Sequence, residues 1–279
     1  MSAAAPEPAV LVLAPSRGLR PLELAELWRC RELLYVLAWR DLKVRYRQTL
    51  LGVLWVTLQP ALNMALYTFL FNRLARFEAS GGVPYAVFVL LGLLPWGFFV
   101  AGMQGAGNSL LGSAHLISKV YFPRLLVPTA AVLVALVDLL VAGLLVVALM
   151  GYYGLPPAPS LLWLPLVVLV AVALAAGLGF WLSALNVEYR DVRVLTPFLL
   201  QLGMYLTPVV YPLHVLPERV RRLVTLNPMT GVVEAFRACL LGGPLPWAML
   251  SWSAAASALL LLGGALYFRR MERVFADVI

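Results

Sequence analysis

The residues that could carry chemistry in this chain are few and scattered. Among 279 residues there are 13 Asp and Glu, 2 His and 2 Cys, and the acidic residues show no pairing suited to acid and base catalysis or to metal binding. The sequence also lacks the Gly-rich run ending in Gly-Lys-Ser/Thr that cradles the phosphates of ATP. We therefore predict that the chain is not an enzyme, holds no cofactor or metal, and leaves any ATP-driven work to another chain.

Asp138 is the ionisable residue that lies deepest in an apolar segment, between Val137 and Leu139. An ionised carboxylate in hydrocarbon costs about 3 kcal/mol on insertion scales, so it should face the interior of a helix bundle or find a donor. It could be a proton or cation site, or it could make a structural hydrogen bond to another helix. Because no second intramembrane charge is available for a relay, the structural hydrogen bond is favoured.

Composition indicates a membrane protein. The chain is 62% hydrophobic and 12% charged, with a mean hydropathy of +0.90, which leaves too few charges to cover a soluble globule of this size. The net charge of +8 could suggest nucleic acid, but the basic residues lie at the ends of apolar segments and form no single stripe. We predict no nucleic-acid partner. Cys30 and Cys239 are expected on opposite sides of the membrane, without a disulfide.

Six apolar segments are each long enough to span about 30 Å of hydrocarbon as a helix. The predicted fold is therefore all-α and polytopic, with spans near Leu50 to Phe71, Val83 to Met103, Leu125 to Met150, Leu161 to Leu185, Val194 to Tyr211 and Trp247 to Phe268. The fifth is the shortest. Of the 21 lysines and arginines, 15 fall on the side of both termini and 6 on the other, which predicts cytoplasmic termini.

Three non-spanning segments are predicted to be structured, after a disordered cytoplasmic tail at residues 1–21. Residues 22–47 form an amphipathic helix whose apolar stripe includes Trp28, Tyr35 and Trp39, and which should lie in the headgroup layer. It could also be a membrane anchor without further function. Residues 108–122 are predicted to form a short cytoplasmic helix capped by Asn108 and stopped by Pro123. Residues 212–241 are predicted to form two short apolar helices on the outer side, the second starting at Asn227 and Pro228 and ending at Gly242 and Gly243.

Spans one and five combine aromatic and polar side chains, which suits a conduit able to stack on sugar rings. The candidate lining residues are Trp55, Gln59, Asn63, Tyr67, Gln201 and Tyr205. Packing between helices accounts for the same polar residues almost as well.

Several runs, taken together, resemble one family. They are Trp39-Arg40-Asp41-Leu42-Lys43-Val44-Arg45-Tyr46 leading to Leu51-Gly52-Val53-Leu54-Trp55, Asn108-Ser109-Leu110 with Ile117-Ser118-Lys119-Val120-Tyr121-Phe122-Pro123-Arg124, Tyr189-Arg190-Asp191-Val192-Arg193, and Leu226-Asn227-Pro228-Met229-Thr230-Gly231. The chain is similar in these runs to the permease subunits of type-2 ATP-binding cassette exporters, above all to those that export lipid-linked polysaccharides such as O-antigen, capsule and teichoic acid.

The resemblance implies a homodimer in the bacterial inner membrane, bound to two copies of an ATPase subunit that holds ATP and Mg²⁺. Residues 22–279 would form the transmembrane domain, which membrane lipid would surround. Undecaprenyl-linked polysaccharide would pass between the two protomers. A gate helix would carry Trp39, Arg40, Lys43, Arg45, Tyr46 and Arg47. A coupling helix would dock on the ATPase through Asn108, Ser113, His115, Ile117, Ser118, Lys119 and Tyr121.

Two rival hypotheses remain open. The same fold class exports small hydrophobic drugs or lipids, and the sequence does not decide the cargo. An ion-coupled secondary transporter or a membrane enzyme would need an intramembrane relay or a catalytic cluster, and the sequence shows neither.

Overall fold

A computed structural model describes residues 28–47, 52, 54–74, 82–117, 119 and 122–278. Throughout these ranges the chain is helical, with turns between helices and no strand, as the sequence predicts. The predicted disordered tail, and Ser118 and Tyr121 of the predicted coupling helix, lie outside the described residues.

The described residues form ten α-helices, numbered in chain order. They are α1 (Arg31–Tyr46), α2 (Leu54–Tyr67), α3 (Tyr85–Gly112), α4 (Ala114–Ile117), α5 (Leu126–Tyr152), α6 (Leu164–Glu188), α7 (Arg190–Leu206), α8 (Glu218–Thr225), α9 (Pro228–Leu241) and α10 (Trp247–Val278). A π-helical stretch, Thr68–Leu74, continues α2, and a 3₁₀ turn, Pro159–Trp163, leads into α6.

Five helical segments within the described ranges are long and apolar enough to cross a membrane: Leu54–Phe71, Tyr85–Gly112, Leu126–Tyr152, Pro159–Glu188 and Trp247–Glu272. They correspond to predicted spans one to four and six. The predicted fifth span falls on α7, which starts earlier than expected, at Arg190, and stops at Leu206 after 17 residues. The last part of that prediction is wrong, because Thr207 to Tyr211 are not helical. Six spans therefore stay a prediction.

α3 is the central helix of the bundle. In its most apolar window 78% of the residues are buried, whereas none are buried in the corresponding window of α2. Small residues let neighbouring backbones approach closely: a Cβ on Gly179 of α6 would lie 2.6 Å from the Ala106 Cβ of α3. A Cβ on Gly177 would lie 2.6 Å from the Leu261 backbone nitrogen of α10. Such small-residue contacts are how helices pack in lipid, where burial of apolar surface gives little drive.

α1 packs beside α5 through Leu37, which is buried, and through the half-buried Leu33 and Leu34. Its end meets α5 at Asp138, twelve residues or about 18 Å from the start of α5. The sequence predicts a helix lying in the headgroup layer, but this contact brings the last turn of α1 beside the middle of a span. The long side chains of Arg45 and Tyr46 make that reach possible.

The α8–α9 pair follows the prediction for residues 212–241 in part. Asn227 caps α9 by accepting a hydrogen bond from the Met229 backbone N–H at 3.0 Å, and Gly242 ends the helix with φ +77°. α9 is buried against α3, α6 and α10. α8 is not the apolar helix expected, because its sequence ERVRRLVT leaves a charged, exposed face.

Candidate functional site

A groove of about 820 Å³ opens on one side of the bundle, between α2, α3 and α5. Four of the six predicted lining residues contribute to its wall: Trp55, Gln59, Asn63 and Tyr67. They share a wall because the steps of four residues between them place all four on one face of α2. These four residues thus lie together on one side of the groove, and their role in lining a channel stays a prediction.

The other two predicted lining residues, Gln201 and Tyr205, lie outside this groove. Both are exposed on α7, beside Phe198 and Leu202. α7 reaches the groove instead through Met204, whose Sδ lies 3.9 Å from the Tyr67 Oη donor. In a single chain the groove and the exposed face of α7 are thus separate surfaces. That the two surfaces together line one channel stays a prediction.

The groove also contains side chains that sequence reasoning missed. Trp96 and Gln104 of α3 line it opposite α2. Gln104 is a polar residue within an apolar span, and this signal could have pointed to it. No comparable signal marks Trp96, because aromatic residues are common throughout the chain.

Asp138 lies in the groove wall and has two donors, both from the end of α1. Its carboxylate forms an ion pair with the Arg45 guanidinium and accepts a hydrogen bond from the Tyr46 hydroxyl. The Asp138 side chain is 19% exposed and that of Arg45 43%, so the pair is partly shielded from solvent. This geometry agrees with the structural hydrogen bond to another helix that the sequence favours over a proton site.

Tyr46 is suited to act as the donor in this contact. Burial, followed by the bond to the Asp138 carboxylate, raises the pKa of the Tyr46 hydroxyl well above its usual range. The phenol therefore keeps its proton at neutral pH and can donate to Asp138.

The other predicted gate residues, and the aromatic side chains near them, lie on the exposed side of the helix. Trp28, Tyr35 and Trp39 are exposed, and the rings of Tyr35 and Trp39 stack at 6.4 Å. The Lys43 ammonium lies 5.3 Å from the Trp39 ring centroid, a cation–π arrangement. Arg40 pairs with the adjacent Asp41 at 2.7 Å, and both are solvent-accessible. Arg47, which follows the helix, is also exposed.

The predicted coupling helix is shorter than expected. Asn108 is not its cap but lies inside α3, which continues to Gly112; after a turn at Ser113, α4 covers only Ala114–Ile117. The apolar sequence before Gly112 simply extends the preceding span. His115 and Lys119 are exposed, whereas Ser113 is buried.

Two polar contacts hold this segment to the bundle. The Asn186 side chain of α6 donates to the Gly107 carbonyl at 2.8 Å and lies 3.4 Å from the Asn108 side-chain oxygen. Beyond α4, the Arg124 guanidinium donates to the Glu272 carbonyl of α10 at 2.6 Å. The chain is therefore fixed on both sides of α4, through α3 to α6 before it and through Arg124 to α10 after it.

The two sets of short helices sit at opposite ends of α3. α4 follows its C-terminal end, whereas α9 contacts Phe88 and Gly92 near its N-terminal end. α3 is 28 residues long, or about 40 Å as an α-helix, which is enough to cross a bilayer. α4 and the α8–α9 pair thus lie at opposite ends of a helix long enough to span a membrane.

These features define a multi-pass membrane protein with a lateral groove and a short anchored helix at one end. The family model described as ABC-2 type transporter matches residues 32–241. Because this match covers most of the sequence, the chain belongs to the ABC-2 type transporter family.

Curated relatives are similar over nearly their whole length. An O-antigen export system permease protein, RfbA, from Myxococcus xanthus is 34% identical over 257 residues, covering 91% of this chain and 98% of the relative. A protein of the same name from Klebsiella pneumoniae is 28% identical, covering 89% and 95%. The polysialic acid transport protein KpsM of Escherichia coli is 23% identical, covering 85% and 93%.

Proposed function

We propose that this chain is the membrane-spanning subunit of an ATP-driven exporter that moves lipid-linked polysaccharide, of the O-antigen kind, across the bacterial inner membrane. The observation that carries the proposal is the 34% identity to an O-antigen export permease across 98% of that relative. Such coverage includes the groove, α4 and the α8–α9 pair together.

The chemistry of the groove supports a glycan. Trp55, Tyr67 and Trp96 offer aromatic faces on which sugar rings can stack, and Gln59, Asn63 and Gln104 can both donate to and accept from hydroxyl groups. A purely hydrocarbon cargo would gain nothing from amide side chains. Stacking and amide bonding recur along a polymer of sugars, so the same wall can serve successive units.

A second copy of the chain would complete the pathway. α2 has no buried residue, and α7 exposes Val194, Phe198, Leu202 and Tyr205. These faces also carry the exposed amide side chains of Gln59 and Gln201, and polar side chains on spans favour contact with another helix over contact with lipid. Pairing two copies through α2 and α7 would enclose Gln201 and Tyr205 and would join the two grooves into one passage.

The energy would come from two copies of a separate ATPase subunit, which would hold the ATP and Mg²⁺. The exposed His115 and Lys119 beside α4 offer a docking point for that subunit. ATP binding would close the ATPase pair and displace α4 and α1, both of which contact the bundle. α2 and α7 of the two protomers would then move apart, with both termini of each chain in the cytoplasm.

The test is reconstitution of the chain with the ATPase subunit that co-purifies with it. We expect ATP-dependent movement of undecaprenyl-linked glycan across proteoliposomes, measured by protection of the glycan from an added glycosidase. Lys119→Glu should weaken ATPase binding and abolish movement. Arg193→Glu, an equal charge reversal at another exposed position on the same predicted side, is the control. Movement of small lipids without glycan would overturn the proposed cargo, and normal assembly of Lys119→Glu would overturn the docking assignment.

A further inference from the structure

The chain loses helical structure immediately after α7, in a place that is buried. Residues 207–211, here called the unwound segment, follow Leu206, and the first four of them are inaccessible to solvent. Irregular backbone in an apolar setting needs partners for its carbonyl groups, because no water is present to supply them. Three consecutive carbonyls of this segment, those of Pro208, Val209 and Val210, receive hydrogen bonds from side chains elsewhere in the chain.

Arg237 of α9 donates to two of these carbonyls and also to a carbonyl of α3. Its Nη1 donates to the Pro208 carbonyl at 2.7 Å, its Nη2 to the Val209 carbonyl at 2.5 Å, and its Nε to the Phe88 carbonyl of α3 at 3.3 Å. The residue is 4% exposed. A planar guanidinium is the side chain that can serve three carbonyls from one fixed fork.

The buried charge of Arg237 is compensated locally. Glu234, one turn earlier in α9, lies 2.9 Å from Nη1, and the Phe88 ring lies under the guanidinium at 3.7 Å. Gly92 of α3 leaves room for the arrangement, since a Cβ there would collide with the Val209 carbonyl and with Nη2 of Arg237.

Two further side chains bind the same segment. The Tyr85 hydroxyl of α3 donates to the Val210 carbonyl, and the Asn227 amide, at the cap of α9, donates to the Thr207 hydroxyl at 2.9 Å. The end of α7 is thus bound to α3 and to α9 at four successive residues, and α9 contributes to three of these contacts.

We propose that Arg237 is a positioning residue that joins the end of α7 to α9, so that a displacement of α7 carries the α8–α9 pair with it. The inference rests on the proposed function, in which α7 moves during export. It assigns the arginine a role in transmitting movement to the far side of the membrane. Filling space or balancing the charge of Glu234 would not require bonds to three carbonyls from two separate parts of the chain.

Three substitutions separate these roles. Arg237→Lys keeps the positive charge beside Glu234 but loses the planar guanidinium that binds three carbonyls. Glycan export should therefore fall if Arg237 acts by positioning, and stay normal if only its charge is needed. Tyr85→Phe removes the bond to the Val210 carbonyl with almost no change in volume. Arg222→Gln is the matched control, since Arg222 pairs with Glu218 in exposed α8 and touches no part of the unwound segment.

The measurement is the distance between spin labels at the exposed positions 206 and 219, at the end of α7 and in α8. The complex of this chain with its ATPase subunit would be used, with Cys30 and Cys239 replaced by alanine. We expect one narrow distance distribution with and without ATP in the unaltered complex and in Arg222→Gln. Arg237→Lys and Tyr85→Phe should broaden it, and glycan export per ATP hydrolysed should fall by up to about tenfold, the factor that one buried hydrogen bond contributes to an equilibrium.

Narrow distributions and full export in both Arg237→Lys and Tyr85→Phe would overturn the inference. If the unaltered complex moves no glycan, the proposed function fails, but the label distances still decide the inference. Should Arg237→Lys fail to fold, Tyr85→Phe still gives the answer.

Discussion

Removing the charge of Arg45 is the sharpest test of the contact between α1 and α5. Arg45→Gln keeps most of the side-chain length but leaves the Asp138 carboxylate with Tyr46 as its remaining donor among the contacts described here. Asp138 lies between apolar residues at the middle of α5, where water cannot replace the lost partner easily. We expect the end of α1 to detach from α5 and the stability of the protein to fall.

The magnitude follows from how far the pair is buried. Exposed ion pairs contribute about 0.5 kcal/mol, and breaking a fully buried pair costs about 4 kcal/mol. With Asp138 19% exposed and Arg45 43% exposed, an intermediate loss of about 2 kcal/mol is expected. It would be measured as the free energy of unfolding of the purified chain in detergent, across a double-mutant cycle with Asp138→Asn.

The same helix offers a matched control, because Arg40 pairs with Asp41 where both are accessible to solvent. Arg40→Gln should change stability by less than about 0.5 kcal/mol. Equal losses in Arg40→Gln and Arg45→Gln, or a coupling energy near zero between positions 45 and 138, would refute the reasoning. Export by the Asp138→Asn variant should also keep the same pH dependence as export by the unaltered protein. Loss of that pH dependence in the variant would favour a proton site at Asp138 instead.

Three further changes have outcomes set by the structure. Gly177→Ala places a methyl group 2.6 Å from the Leu261 backbone nitrogen and should destabilise the chain by about 2 kcal/mol in an unfolding assay. Gly143→Ala, also inside a helix but with open space around it, should leave stability unchanged or raise it by up to about 1 kcal/mol. Asn227→Ala removes the cap of α9 and should cost about 1 kcal/mol in the same assay. Asn186→Leu breaks the bond to the Gly107 carbonyl and should lower the transport-stimulated ATPase rate of the complex, while unchanged stimulation would show that this anchor of α4 is not used.

Much of the helical framework follows from the sequence because its causes are local. Long apolar runs define the spans, and Asn227, Pro228 and Gly242 define α9 through capping and a left-handed turn. The start of the short coupling helix is not readable from the sequence because Asn108 resembles a cap, whereas the chain around it continues α3 to Gly112, nine residues beyond Met103. A local pattern could not reveal that α3 is held along its length by α5 and α6.

The candidate site could be found only in part. That Trp55, Gln59, Asn63 and Tyr67 lie on one face of α2 follows from the sequence, since side chains on one helix face are set by spacing alone. The partners of Asp138 and the role of Arg237 depend on residues 93 and 29 positions away, and no single-sequence pattern encodes such distances. Arg237 in particular reads as an ordinary outer-side cation until its surroundings are known.

The absence of buried residues in α2 has a consequence for biogenesis. A lone copy would leave the amide side chains of Gln59 and Asn63 on a helix that buries none of its residues, and contact of amides with acyl chains carries a free-energy penalty. Association with a second copy would relieve that penalty, so the stability of the protein should increase with its density in the bilayer. Chains that lack a second protomer would then be substrates of membrane proteases. Such degradation would keep the amount of this subunit matched to the number of assembled complexes.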